Sequence, residues 1–494
     1  MINIIRCLAA TLWALVMIHS MGISSSKPNS GSNSLLKSIS LGPRGPIILP
    51  DNRLLEKFEH FSRERVPERI NSALGNGALG YFECKNFNLS QITQATVFAE
   101  FGKKTDVIVR FTSSGRPGGS DLSRGLRAIG IKFYTDKGNW DLTGLDSPMF
   151  PIHDSLRFGD VTRIREAWLA QLIDYSKSIP QATIFPMMVD TDEATTDGWR
   201  RMKGFSVNTY KFRNFRGDYT YVRFKLEPQL KFQFLQGKEL IFIRGNIPDY
   251  YQRDLYTAIA RGEYPRWMLK AQLVNSKEAR RAEFNIFDAS REWDEKMVQT
   301  ILLGEIVLNK RINNYHSQIE QLSFNPSNII PGIEFAPDKV LQGRIFAYRD
   351  AQNARLGVNH ENLPVNRQRN KEYLLTPHNG ACFGPKSNEF YPIYGINEFE
   401  LDLKPTYPTH KSKVIRRRTD WEHETDYTQL KSLWNSQDER EQLRSVKIFA
   451  GDSLAVDSLA VDEYVNNTEK IDEDYFCKLS SAITERRSSQ GVFL

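Results

Sequence analysis

Apolar and polar residues alternate in short bursts through the first half of the chain. Ile129, Ile131 and Phe133 alternate with Gly130 and Lys132, and the turn residues Asp136 to Asn139 follow directly. Val222, Phe224 and Leu226 alternate with Arg223 and Lys225, and Trp267, Leu269, Ala271 and Leu273 with Lys270 and Gln272. A period of two with one apolar side marks a strand with one buried face. Such bursts run from about Gly77 to Val274 without the helix-strand alternation of a doubly wound sheet. They predict antiparallel pairing in a large curled sheet or barrel. Helical stripes interrupt them: Asp160 is placed to cap a helix carrying Ile164, Trp168, Leu169 and Leu172, and a second stripe with Leu255 and Ile259 stops at Gly262. Residues 51–76 read as an arm running into a helix or loop. Residues 321–425 are rich in Pro, Asn and Gly with little periodicity, and a segment that long without regular structure is usually functional or wrapped over something. Stripes return at the end, with Leu430, Leu433 and Trp434 and then Leu443, Val446 and Phe449. Residues 452–461 are DSLAV twice over, a repeat that reads as a tolerated surface insertion.

Composition changes this picture little. A hydrophobic fraction of 40% and a charged fraction of 25% over 494 residues are those of a globular protein with a sizeable core. The net charge of +7 is small for the length, spread along the chain, and concentrated only in the short run Lys411 to Arg418, so nucleic acid is not indicated. The N-terminus carries an address. Arg6, an apolar run from Cys7 to Ile18 and small residues through Ser26 have the layout of a cleavable secretory signal, too short to span a bilayer as an anchor. Residues 1–23 are therefore assigned to a signal peptide and residues 24–40 to a flexible linker, which implies secretion and no membrane span after cleavage. The C-terminal GVFL is not a peroxisomal address. Cys84, Cys382 and Cys477 remain once Cys7 leaves with the signal, an odd, widely spaced set with neither a disulfide framework nor metal-ligand spacing. Asn88 and Asn466 head glycosylation sequons.

The most informative stretch is Gln342 to Gly357, QGRIFAYRDAQNARLG. Arg344 and Tyr348 are four apart and share a face on a helix, with Arg355 two turns further on. A cation beside a phenol favours its ionised form, and a phenolate is one of the few side chains able to ligate a haem iron. On spacing alone the plainer expectation is an amphipathic turn that buries Ile345, Phe346 and Ala347 and leaves the polar groups in water.

The surroundings decide otherwise. From Arg344 to Gln352 the stretch resembles the haem-ligand signature of the catalase family at every position. The resemblance runs from LGPRGP at Leu41 to about Gly451, through Arg63, Glu68 and Arg69, GYFE from Gly80, GNWDL from Gly138, PSNIIPGIEFAPDK from Pro326 and LPVN from Leu363. It implies an α+β, catalase-like fold: an eight-stranded antiparallel β-barrel over residues 77–320, preceded by an arm over 41–76. A wrapping segment over 321–425 would carry the haem tyrosine, and a helical region would occupy 426–494. It further implies haem iron bound by Tyr348, Arg344 keeping that phenol ionised, Arg69, Arg110 and Arg355 on the haem propionates, Phe158 packed near the haem, and a homotetramer.

The distal side departs from the family. Ser72 stands where the resemblance places the catalytic histidine, and Leu145 where it places the peroxide-orienting asparagine. Splitting peroxide needs a group that takes a proton from one oxygen and returns it to the other, which imidazole does near neutrality and a hydroxyl does not. Thr112 keeps a hydroxyl that in the family supports the histidine. Asn71 and Asp146 flank the altered pair, but strand neighbours point to opposite faces, which argues against their stepping in. His153 reads as a surface or channel residue. The acidic channel residue of the family falls at Gly125, and Glu193 and Lys203 replace the arginine and asparagine of members that bind NADPH, so no NADPH is expected. The chain is expected to bind haem while dismutating hydrogen peroxide poorly; the alternative is a haem enzyme still decomposing hydrogen peroxide or acting on organic hydroperoxides.

Overall fold

In a computed structural model the chain is described over residues 39–41, 47, 52–64, 68–113, 118–160, 188–189, 191–282, 284–296, 298–369, 414–416, 427–453, 458–469 and 471–489. The signal, most of the linker, the helix expected after Asp160 and much of the wrapping segment lie outside these residues.

The alternating bursts are strands: β1 (Gly75–Cys84), β2 (Lys104–Thr112), β3 (Ala128–Thr135), β4 (Gly138–Leu145), β5 (Gly204–Phe205), β6 (Tyr210–Arg213), β7 (Tyr219–Pro228), β8 (Arg266–Asn275) and β9 (Gln299–Arg311). Every pairing is antiparallel. The order β7-β5-β4-β3-β2-β1-β9-β8 closes on itself, because β8 also pairs with β7 from Asn275 opposite Thr220 to Trp267 opposite Pro228. Eight strands thus form a barrel without a free edge. The inward positions hold its core, in which Phe133 stacks on Trp140 with centroids 4.3 Å apart and Trp267 packs beside Phe111 at 5.3 Å. Side chains fill the described barrel core, and the cleft that gathers polar groups lies on its outer face.

On the side of the cleft that outer face is flanked by two helices, α1 (Asn52–Ser62) and the eighteen-residue α5 (Lys339–Leu356). Between them in sequence come α2 (Gly237–Asn246), α3 (Tyr250–Ala260) and α4 (Ser276–Arg281). The expectation that the whole of residues 321–425 lacks regular structure is corrected by α5. Buried Asp338 accepts a hydrogen bond from the Leu341 amide at 2.9 Å and caps the helix there, and Gly357 ends it at φ +85°.

The chain closes with α6 (Thr428–Ser436), α7 (Glu439–Ser453), α8 (Ser458–Thr468) and α9 (Glu473–Ser489), packed on their own apolar cluster together with Leu126 and Met149. The second DSLAV copy runs into α8 and its Val461 is 1% exposed, so that copy contributes to the core and is not a surface insertion throughout.

Candidate functional site

Alternation places one side of β2, β3 and β4 outward. Register then sets their residues in two rows: Arg110 opposite Gly130 and Gly130 opposite Thr143, and Thr112 opposite Ala128 and Ala128 opposite Leu145. These rows form the back wall of a cleft with about 1260 Å³ of atom-free space, counting its open mouth. Gly130 is required by close packing: a Cβ there would lie 2.7 Å from the Phe324 ring, which lines the same cleft. From the other side α5 presents Arg344, Tyr348 and Arg355. The loop before β1 adds Arg69, Asn71 and Ser72, and Phe150, Ile152 and Phe158 complete the wall. All eight residues singled out from the sequence, Arg69, Ser72, Arg110, Leu145, Phe158, Arg344, Tyr348 and Arg355, line this one cleft.

On the α5 side, Arg344 donates to the Tyr348 hydroxyl and to Thr143 Oγ1, each at 3.0 Å, and also to the side-chain oxygen of Asn208. Asn208 in turn donates to Asp338 at 3.1 Å, so one chain of hydrogen bonds runs from the helix cap to the phenol. Burial works against the Arg344 charge, but the phenols of Tyr348 and Tyr210 and the Asp338 carboxylate hold its pKa above the usual arginine value. The expectation of solvated polar groups on this turn is overturned: Arg344 is 4% exposed, whereas Ile345 and Phe346 are only half-buried.

A second set of arginines meets at the segment 319–322. Arg69 donates to Glu320 Oε2 at 3.0 Å and to the carbonyls of Ile319, Glu320 and Leu322; Arg355 donates to Glu320 Oε1 at 3.3 Å and to the Leu322 carbonyl. Arg110 lies close enough to repel both. Burial lowers the pKa of all three, and mutual repulsion lowers Arg110 and Arg355 further, Arg355 to about 9. One carboxylate against three guanidinium groups leaves a surplus of positive charge in a half-dry cleft, which favours a ligand bearing carboxylates. The Nε atoms of Arg110 and Arg344 are buried without a hydrogen-bond partner. An apolar slot with a phenol on one side and this cationic end has the chemistry to hold a haem: a hydroxyl for iron, guanidinium groups for propionates, and Ile129, Phe150, Phe158, Phe324 and Ala347 for the macrocycle.

The opposite wall has a different character. Ser72 donates to Asn71 Oδ1 at 3.2 Å, and the Ser72 and Ala73 carbonyls accept from Arg110 at 3.0 and 2.9 Å. Ser72 lies in the loop before β1, not in a strand, with φ +57°. The strand argument against Asn71 therefore fails, and Asn71 lines the cleft beside Ser72. Asp146 turns elsewhere, accepting from the Arg127 amide at 3.0 Å, and His153 is not among the lining residues. The Thr112 hydroxyl is engaged across the sheet, accepting from the Ala128 amide at 3.1 Å. Among the described residues lining the cleft there is no imidazole, carboxylate, thiol or amine.

Asn208, Asp338 and Thr143 were not singled out from the sequence. Asp338 carried a readable signal as a helix cap before an apolar turn. Asn208 carried none, but it follows Val207, which with Ser72 makes up the non-glycine residues of positive φ among those described, and both adjoin this site.

A family model described as catalase matches residues 27–400. Over 480 residues the chain is 36% identical to a catalase of Ascaris suum, covering 92% of this chain and 88% of that protein. Catalase A of Pseudomonas putida is 39% identical over 338 residues, 67% of this chain and 70% of the relative. Among solved structures, a bacterial catalase superposes with a TM-score of 0.78 at 27% identity, covering 94% of each chain, and a fungal catalase with a TM-score of 0.73 at 28% identity, covering 90% and 92%.

Proposed function

Because this chain belongs to the catalase family, we propose that it is a secreted haem-binding member in which dismutation of hydrogen peroxide is impaired. The observation that carries this reading is the described lining of the cleft, which includes Ser72 and Leu145, set by the resemblance where histidine and asparagine are expected, and which offers no group that exchanges protons near neutral pH. When bound, haem supplies the iron redox chemistry that the family applies to hydrogen peroxide. The chain's own residues then divide the work. Tyr348 offers its oxygen to the metal, and Arg344 holds that oxygen in place. Arg69, Arg110 and Arg355 take the propionates, and Phe158 packs against the ring. Ser72, its proton committed to Asn71, orients a small polar ligand by accepting a hydrogen bond but does not shuttle its protons.

A second reading, turnover of an organic hydroperoxide, is favoured by the apolar lining of Leu126, Ile129, Leu145, Phe150 and Ile152. Secretion rests on the N-terminal signal, and assembly as a homotetramer rests on the resemblance. The haem assignment is tested by absorbance of the purified full chain. A Soret band with a high-spin ferric spectrum is expected, and Tyr348→Phe should lose the band or alter it. A wild-type chain that stays colourless when offered haem would overturn the reading.

A further inference from the structure

One surface feature is unused by this site. After β1 the chain makes a short turn, Leu89–Gln91, that plugs Leu89, 1% exposed, into the barrel core. With Leu89 turned inward, its neighbours Asn88 and Ser90 both face solvent. The turn is tied down by Asn86, which donates to the Leu302 carbonyl at 2.8 Å and accepts from the Asn88 backbone amide at 2.9 Å. Among the described residues, neither the Asn88 side-chain amide nor the Ser90 hydroxyl has a hydrogen-bond partner. Beside them, Phe87 is 76% exposed and Phe101 48% exposed, and their rings stack at 4.1 Å with 4° between planes. Phe101 covers one face of Phe87, so the other face of Phe87 is open to water. Phe215 is as exposed as Phe87, but beside the sequon two stacked rings form an apolar platform.

We propose that Asn88 carries an N-linked glycan whose first sugar packs its C–H face on the open ring of Phe87. The inference rests on the proposed secretion, which brings the sequon Asn88-Leu89-Ser90 to the glycosylating machinery. The donor is a lipid-pyrophosphate-linked oligosaccharide. Asn88 Nδ2 attacks its anomeric carbon, a C–N bond forms and the C–O bond to pyrophosphate breaks. The lipid pyrophosphate leaves with the electron pair, and one amide proton passes to a base of the transferase. The second sequon is presented differently. Asn466 is in the last turns of α8, and its Thr468 hydroxyl is 0% exposed and donates to the Val465 carbonyl at 2.6 Å.

The experiment uses the full chain expressed in eukaryotic secretory cells, once behind its own leader and once behind a heterologous one, with peptide mass mapping before and after treatment with peptide N-glycosidase. The expected result is a glycan at Asn88, released by the enzyme to leave aspartate, and lost in Asn88→Gln and Ser90→Ala. Phe87→Ala keeps the sequon but should lose its sugar several-fold faster to the glycosidase on the native protein; an unchanged rate would overturn the platform. An unmodified Asn88 in the chain delivered by the heterologous leader would overturn the site itself. Modification behind the heterologous leader, with an intact N-terminus and no glycan behind the native one, would support the site and sink the secretion reading instead.

Discussion

Ser72 holds a left-handed backbone that a side chain adopts only when its neighbours impose it, and Arg110 imposes it through two carbonyls. A guanidinium assigned by resemblance to a propionate thus also fixes the loop over the cleft. Leu145 likewise serves two ends. It packs against the C-terminal helical cluster and against the cluster around Phe158, so the leucine that stands where the resemblance places an asparagine has a packing role of its own. Leu145→Asn should lower stability by about 1–3 kcal/mol, read as a lower midpoint in chemical denaturation. An unchanged midpoint would mean that its contacts at the two clusters are incidental. That Ser72 and Leu145 line the cleft was legible through the resemblance, because motifs on either side fixed their places in the chain. The turn of Asn71 into the cleft was not, since alternation assumes a strand and the strand begins only at Gly75.

At the scale of elements, β3, β7 and β8 were readable because each turns its apolar residues into the barrel with a period of two, but the expectation of a single buried face is corrected: Lys132 and Arg223 on the outer side are 1% and 4% exposed. Helix α5 was legible only as the spacing of Arg344, Tyr348 and Arg355 and not as an eighteen-residue element, for a physical reason. A helix that lines the arginine-rich cleft turns Arg344 inward and leaves Ile345 and Phe346 half-buried, which erases the apolar stripe by which helices are recognised. Its stability comes instead from Asp338, which caps the helix and accepts from Asn208 and the Thr209 amide at 3.1 and 3.0 Å. Asp338→Ala removes a cap worth about 1 kcal/mol and strands buried donors that cost about 1–3 kcal/mol more. The variant is expected to unfold at lower denaturant and, because the same chain of hydrogen bonds ends on Tyr348, to bind haem more weakly. Full haem affinity in a destabilised Asp338→Ala protein would uncouple the cap from the phenol.

For the whole molecule, Asp121 ties the loop after β2 to the start of α3, accepting from the Gln252 amide at 3.0 Å, while its other oxygen is buried without a partner. Burial raises its pKa from 3.8 to about 6. Between these values the folded chain keeps a proton that the unfolded chain has released. The stability from this group is therefore complete below pH about 4 and is lost as pH rises through about 6, a fall of about 2–3 kcal/mol. Asp121→Asn should remove that part of the slope in the denaturation midpoint between pH 4 and 6; an identical slope in the variant would place the titration elsewhere. The barrel was legible as a fold class, and its closure through β7 and β8 follows from strands long enough to pair along both edges. The cleft on its outer face was legible only through the resemblance, since no periodicity reports which outward positions meet a helix more than two hundred residues away in sequence.

As proposed, this cleft would hold haem through Tyr348, and its described lining carries no imidazole, carboxylate, thiol or amine. Oxygen release from hydrogen peroxide, normalised to bound haem by absorbance, tests it for the wild type and for the double variant Ser72→His with Leu145→Asn. Wild-type turnover is expected to be lower than that of ordinary catalases by on the order of 10²–10⁴, with a gain of about tenfold or more in the double variant. Wild-type turnover equal to that of ordinary catalases would contradict it.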